Sequence, residues 1–198
     1  MERTRHGPLS VVCATNRASE LKPFVLWFTG LSGAGKTTLA LGVERELKRL
    51  NLRCCALDGD DLRTTLNSDL GFNERDRSEN VRRVAQVAKL FHTADLNPIV
   101  ALISPLRKQR GAARALFQEG EFIEIFVDAP LDVCEARDPK GLYHKARQNQ
   151  ITNFTGIDAV YEPPLNPELH LKTHQTTPQH LTDCILSYLR THDMLTST

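Results

Sequence analysis

Eight consecutive residues, Gly30-Leu31-Ser32-Gly33-Ala34-Gly35-Lys36-Thr37, fit the pattern G-x-x-x-x-G-K-S/T, a spacing suited to holding a chain of phosphates. Glycines let successive backbone N–H groups curl around an anion, and a helix opening at the loop adds positive potential. Lys36 can neutralise the β- and γ-phosphates, and the Thr37 hydroxyl can ligate Mg²⁺. A nucleoside triphosphate is the expected ligand. The bland alternative is a glycine-rich turn, and the flanking residues argue against it. Phe24-Val25-Leu26-Trp27-Phe28 suits a strand buried on both faces, while Leu39, Val43, Leu47 and Leu50 repeat at helical spacing. A strand therefore feeds the loop, and the loop opens a helix.

Further elements must stand around this unit. Arg53-Cys54-Cys55-Ala56-Leu57 reads as a second strand ending in the polar cluster Asp58-Gly59-Asp60-Asp61. Ligands of doubly wound sheets bind outside the carboxyl ends of strands, so the cluster lies near the triphosphate if the two strands are parallel and adjacent. A helix is predicted from about Glu74 to Ala94, capped by Asn73, with Val81, Val84, Ala85, Ala88 and Phe91 on one apolar stripe. Pro98–Ile103 reads as a third strand ending at Ser104-Pro105, followed by a helix from Leu106 to Phe117 stopped by Gly120. Phe122–Val127 is a fourth strand with Asp128 at its end, and a short helix runs from about Pro130 to Arg137. The polar, basic stretch from Asp138 to Gly156 carries Lys140, His144, Lys145 and Arg147 and reads as a lid. Leu169-His170-Leu171 is a fifth strand. Thr177 and Pro178 open a last helix that turns Leu181, Ile185, Tyr188 and Leu189 inward. The alternation predicts an α/β fold, a parallel sheet of the phosphate-loop NTPase type with helices on both faces.

Composition sets the outer bounds. The 198 residues, 40% hydrophobic and 25% charged, can bury one sizeable core, and a net charge of +1 gives no global pull toward nucleic acid or acidic membranes. Residues 1–22 lack periodicity and read as a poorly ordered lead-in, with one short element at Ser10–Cys13; residues 23–198 read as a single domain. Five cysteines with no C-x-x-C pair or zinc spacing read as reduced, mostly buried thiols. No apolar run reaches membrane-spanning length and no signal-peptide core follows Met1, so a cytoplasmic protein is expected. An Asn-Lys-x-Asp tetrapeptide is missing from the sequence, which weakens a GTPase reading.

Taken together, several motifs resemble the adenylylsulfate (APS) kinase family. They are Gly30 to Thr38, Asp58-Gly59-Asp60-x-x-Arg63, Leu70-Gly71-Phe72, Asp76-Arg77-x-x-Asn80, Ile103-Ser104-Pro105 and Phe126-Val127-Asp128-Ala129-Pro130. Cys134-Glu135-Ala136-Arg137-Asp138-Pro139-Lys140-Gly141-Leu142-Tyr143, Lys145-Ala146-Arg147 and Asn153-Phe154-Thr155-Gly156-Ile157-Asp158 resemble that family's lid in order and spacing. The resemblance covers roughly residues 24 to 173. It implies ATP- and Mg²⁺-dependent phosphorylation of the 3′-hydroxyl of adenosine 5′-phosphosulfate (APS), giving 3′-phosphoadenylyl sulfate (PAPS) and ADP. Nucleic acid and membranes are not implied partners; a homodimer and a separate ATP sulfurylase chain are left open.

The resemblance also distributes roles. Gly30, Leu31, Ser32, Gly33, Ala34, Gly35, Lys36, Thr37 and Thr38 would hold ATP, with Arg137 beside the adenine base, although a plain helix C-terminal charge fits Arg137 as well. Asp60 would orient the acceptor hydroxyl, accept its proton or help Thr37 hold hydrated Mg²⁺. For Asp58 a capping role in a polar turn fits equally. Arg63, Phe72, Arg77, Asn80 and Ile103 would contact APS, the guanidiniums pairing with the phosphosulfate and Phe72 stacking on adenine, with Phe154 a second aromatic face and Lys140 a lid cation. Seen alone, these are surface charges and core aromatics. The family's serine at Ser104 is sometimes given a phosphoserine role, but no local base would activate it. Direct transfer is the expectation, with Ser104 a substrate-site residue; a strand-end hydroxyl capping the next helix is the alternative. Asp61, Gln86 and Gln148-Asn149-Gln150-Ile151-Thr152 depart from the family pattern, and the last of these, within the lid, bear on lid mobility and lid ion pairs. A gluconate, shikimate or nucleoside kinase would share the loop but has no reason to carry Phe72, Arg77, Asn80 and Phe154 together.

Overall fold

The three central strands of the sheet are largely buried on both faces, with helices supplying the cover, while the two edge strands are only partly buried. The computed structural model describes residues 22–195. The lead-in expected over residues 1–22, with its element at Ser10–Cys13, lies outside the described residues except for Lys22. In chain order the elements are β1 (Val25–Thr29), α1 (Lys36–Arg49), β2 (Cys54–Asp58), α2 (Gly59–Thr64), α3 (Glu74–Thr93), β3 (Asn97–Ala101), α4 (Arg107–Arg114), β4 (Phe122–Asp128), α5 (Leu131–Arg137), α6 (Leu142–Arg147), β5 (Leu169–Lys172) and α7 (Pro178–Thr191).

The five strands stand in the order β2-β3-β1-β4-β5, and every neighbouring pair is parallel. The adjacency of β1 and β2 considered from the sequence does not occur: β3 lies between them, pairing Leu26 with Ile99 and Ala56 with Ile99. All strand ends still open on one edge, so the cluster after β2 and the loop after β1 meet there across one intervening strand. At the opposite edge Asn97 joins the strand starts, its Oδ1 accepting from the Phe24 N–H at 3.0 Å and its Nδ2 donating to the Arg53 carbonyl at 2.9 Å.

Alternation along β1 divides the core into two. Leu26 and Phe28 pack with Leu39, Val43 and Leu47 of α1 and Leu181, Ile185 and Leu189 of α7. Val25 and Trp27 face the other side, with Val81, Val84, Ala85 and Ala88 of α3. Burying these side chains contributes about 1.5–3 kcal/mol each relative to exposure. The predicted caps form: the Asn73 side chain accepts from the Asp76 N–H at 2.8 Å, and Thr177 caps α7. Helix α4 closes at Arg114 rather than Phe117. Two short helices, α2 and α6, fall in the polar cluster after β2 and in the lid, where no helix was expected. Six residues carry too little periodicity to announce a helix. Instead α6 is held from outside by Asp138, whose carboxylate accepts from the N–H groups of Tyr143 (3.1 Å) and His144 (3.0 Å). Cys54 and Cys134 are buried and Cys55 and Cys184 half-buried, all four as free thiols; burial pushes Cys54 up to about 11.

Candidate active site

The loop after β1 takes a path that side chains would obstruct. Gly33 has φ +73°, and a Cβ there would come within 2.9 Å of the Cys134 carbonyl oxygen; Gly35, at φ +106°, turns the chain directly into α1. Lys36 folds back along the loop and its Nζ donates to the Leu31 carbonyl at 2.7 Å. Burial lowers the Lys36 ammonium to about 8, against the opposing pull of Asp60 and Asp58. Next to it the Thr37 hydroxyl donates to Asp58 Oδ2 at 2.6 Å, while Asp58 Oδ1 accepts from the Asp60 N–H at 2.8 Å. Asp58 thus caps α2 and touches the loop helix at once. Asp60 projects across the opening and pairs with Lys140 of the lid.

These groups line one cleft of about 1670 Å³, floored by the end of β3 and walled by α2, α3 and the lid. Ser32 to Thr38, Asp60, Arg63, Phe72, Arg77, Asn80, Ile103, Ser104, Arg137, Lys140 and Phe154 all line it. Gly30 stands behind the loop against Val127, and the Leu31 side chain lines a neighbouring hollow with Leu131 and Ile157. On the wall formed by α2, α3 and the loop between them, the Arg63 guanidinium lies 4.4 Å from the centre of the exposed Phe72 ring and donates to the Gly71 carbonyl at 3.1 Å. Arg77 donates from Nε to the Phe72 carbonyl at 2.7 Å, and from its terminal nitrogens to the Thr155 hydroxyl and the Asn153 carbonyl. Burial lowers both arginines from their usual value. Phe154 is only 8% exposed and packs edge-on against Tyr143, with ring centres 4.9 Å apart. Asn80 Oδ1 accepts from Asn67 Nδ2 at 3.0 Å.

Comparison with known proteins bears on what this cleft acts upon. The family model for adenylylsulphate kinase matches residues 22–172. The chain belongs to the adenylylsulfate kinase family. It is 52% identical to the adenylyl-sulfate kinase of Geotalea daltonii, over 88% of this chain and 86% of that one. It is also 55% identical to the bifunctional enzyme NodQ of Rhizobium meliloti, over 84% of this chain but 26% of the relative. The APS kinase of Mycobacterium tuberculosis, solved in complex with AMPPNP and APS, superposes with a TM-score of 0.82 at 44% identity, covering 86% of this chain and 99% of that one.

Within this adenylylsulfate kinase fold, Ser104 sits at the floor of the cleft, almost fully buried, with φ +38°. Its Oγ accepts from the Trp27 indole N–H at 3.1 Å, a donor that cannot take a proton from it. Capping of α4 by Ser104 does not occur; the cap position is Leu106. Arg137 lies under the loop, donating to the Gly33 carbonyl at 3.2 Å and the Thr173 carbonyl at 2.9 Å. Thr173 was missed from the sequence, although it follows β5 just as Asp58 ends β2, and its hydroxyl donates to the Ala34 carbonyl at 2.7 Å. Asn67, Asn153 and Thr155 were missed as partners because nothing in their local spacing marks them. A hydroxyl and a carboxylate 2.6 Å apart beside a phosphate loop, with Asp60 two residues on, are the hard oxygen donors that Mg²⁺ takes together with phosphates and water. The residues present fit that ion.

Proposed function

We propose that this chain transfers the γ-phosphoryl group of ATP to the 3′-hydroxyl of APS, giving PAPS and ADP. The observation that carries this is one cleft in which Lys36 and the loop amides stand opposite a wall of Arg63, Phe72, Arg77 and Asn80, with Asp60 between them. Phosphoryl transfer needs positioning and charge neutralisation more than covalent chemistry. The loop N–H groups and Lys36 hold the β- and γ-phosphates, the lysine exchanging the Leu31 carbonyl for phosphate oxygen. Thr37 and Asp60, with Asp58 beside them, would hold Mg²⁺, which supplies positive charge against the transferring phosphoryl group.

APS enters on the α3 side, where Phe72 stacks on its adenine and Arg63 and Arg77 pair with the phosphosulfate, Arg77 giving up lid contacts to do so. Asp60, leaving Lys140, accepts a hydrogen bond from the 3′-hydroxyl and takes its proton as the oxygen attacks phosphorus in line with the departing ADP. Lys140 then faces the transferring charge. Ser104 shapes the floor without becoming phosphorylated. Residues 23–198 work as one domain, with residues 138–156 its lid. Among the described residues no helix is long and apolar enough to cross a membrane; we place the enzyme in the cytoplasm. The test is ADP release from ATP with and without APS: APS-dependent ADP together with PAPS is expected, and ADP release indifferent to APS would overturn the reading.

A further inference from the structure

The floor of the cleft is held from behind by a charged side chain that has no place in the transfer just described. Arg110 of α4 is 2% exposed, and its guanidinium spends three donors on three separate segments. Nε donates to Glu124 Oε1 of β4 at 2.6 Å, one terminal nitrogen to the Ser104 carbonyl at 2.7 Å, and the other to the Glu162 carbonyl at 2.7 Å. Glu162 follows the lid, and its own N–H donates to the Pro105 carbonyl at 2.8 Å. Its neighbour Tyr161 shares a 3.0 Å hydrogen bond with the Thr29 hydroxyl, which donates to the Ile103 carbonyl at 2.7 Å. The Ser104 turn and the chain leaving the lid are therefore clamped to each other and to the sheet.

Two facts set this apart from ordinary core packing. Ser104 has φ +38°, a conformation disfavoured for any residue with a Cβ, which persists only where the surroundings impose it. A buried ion pair such as Arg110–Glu124 is commonly no more stabilising than apolar residues of the same volume, so stability alone does not account for it. The planar fork of an arginine is, by contrast, suited to fixing several acceptors in one plane.

We propose that Arg110 is a positioning residue, which holds the left-handed turn at Ser104 and the chain leaving the lid in one arrangement so that the floor of the acceptor pocket is formed before substrate arrives. This rests on the reading that Ser104 lines the APS pocket. Arg110→Lys keeps the charge for Glu124 but cannot serve three acceptors in a plane. Ser104→Gly removes the penalty on positive φ. Arg110→Lys should raise the KM for APS about tenfold, the scale of a lost charged hydrogen bond, while the ATP Kd stays within about twofold. Introduced into the Ser104→Gly protein, the same change should raise that KM only about threefold further, since glycine holds the turn without help. Equal factors in the two backgrounds, or an unchanged KM, would overturn the proposal. Hydrogen exchange reads the clamp without substrate. The Glu162 amide should exchange about tenfold faster in Arg110→Lys, and unchanged exchange there would also overturn it. Because exchange needs no turnover, it decides the clamp even if the acceptor proved to be something other than APS.

Discussion

The phosphate-loop wall of the cleft is made of backbone, whereas the lid wall is made of side chains that hold one another. Gly33 and Gly35 take positive φ, Ala34 is buried, and the loop sits directly on the ends of β1 and β4. Across the opening, Lys140 pairs with Asp60, Arg77 reaches Thr155 and Asn153, and Asp158 accepts from the Asn153 N–H at 2.6 Å. The backbone of the cradle needs no rearrangement when an anion arrives; only the Lys36 side chain leaves the Leu31 carbonyl. The lid wall instead has to trade protein partners for ligand, so substrate choice and closure are coupled there.

Breaking the cradle should have the largest effect. Lys36→Ala is expected to lower kcat about 10²–10³-fold, the scale of one lost stabilising donor, with a melting temperature at or above the parent's because a buried charge is removed; steady-state kinetics beside a thermal melt checks this, and activity within a few-fold of the parent would refute the loop assignment. Next comes Asp60→Asn, where the amide keeps a polar contact but accepts no proton. A kcat loss of about 10²-fold, larger than any rise in the KM for APS, is expected, and a change in KM alone would make Asp60 a binding residue.

Where α3 meets the lid, Arg77→Ala should lower kcat/KM for APS by about tenfold or more while calorimetry shows the ATP Kd nearly unchanged. Phe154→Ala should show the same APS loss and, because the ring is buried against Tyr143, a stability loss of about 3 kcal/mol that Arg77→Ala lacks. Equal loss of ATP and APS binding in both variants would erase the distinction between the walls.

Acidity sharpens the comparison. The folded pKa of Lys36, about 8, lies below its ordinary value of 10.5, so burying its charge destabilises the ligand-free fold fully below pH 8. That penalty is relieved as pH rises from 8 toward 10.5, while ATP, which needs the ammonium, binds more weakly over the same range, by up to about tenfold per pH unit. Melting and ATP titrations between pH 7.5 and about 9.5, with Lys36→Met as reference, should move in opposite directions. The smallest effect is expected at Ser104→Ala. Activity should stay within about tenfold of the parent, with a stability loss of about 1 kcal/mol from the Trp27 N–H left without its acceptor; a chemically competent phosphoenzyme trapped at Ser104 would show direct transfer to be mistaken.

The same division governs how much could be read from the sequence. Local rules announce the cradle, because a turn of that shape demands glycines at fixed offsets and a strand and helix at its flanks. The strand-end rule placed Asp58 beside the loop on the condition that β1 and β2 were parallel and adjacent; β3 separates them, and the placement holds because parallel direction alone brings both strand ends to one edge. What stayed hidden was set by long-range contact: Arg77 meets Asn153 and Thr155, Arg137 meets Thr173, and Asp138 organises α6 from outside it. The capping alternative for Ser104 failed because only the fold brings the Trp27 indole within its reach.

Helix α1, which carries Lys36 and Thr37, rests on α7, with Leu39, Val43 and Leu47 in one apolar cluster with Leu181, Ile185 and Leu189. Gly42 lets the two helices approach so closely that a Cβ would come within 2.9 Å of the Thr182 hydroxyl. On the ribosome, therefore, the nucleotide cradle is made well before the helix that supports it. At about 5–20 residues per second, α1 waits on the order of ten seconds for the helix that braces it. Nascent chains halted before Pro178 are predicted to leave α1 open to protease and to retain no ATP, whereas released chains that include α7 protect α1 and retain ATP; ATP retention by the shorter chain would show that the cradle matures without its brace.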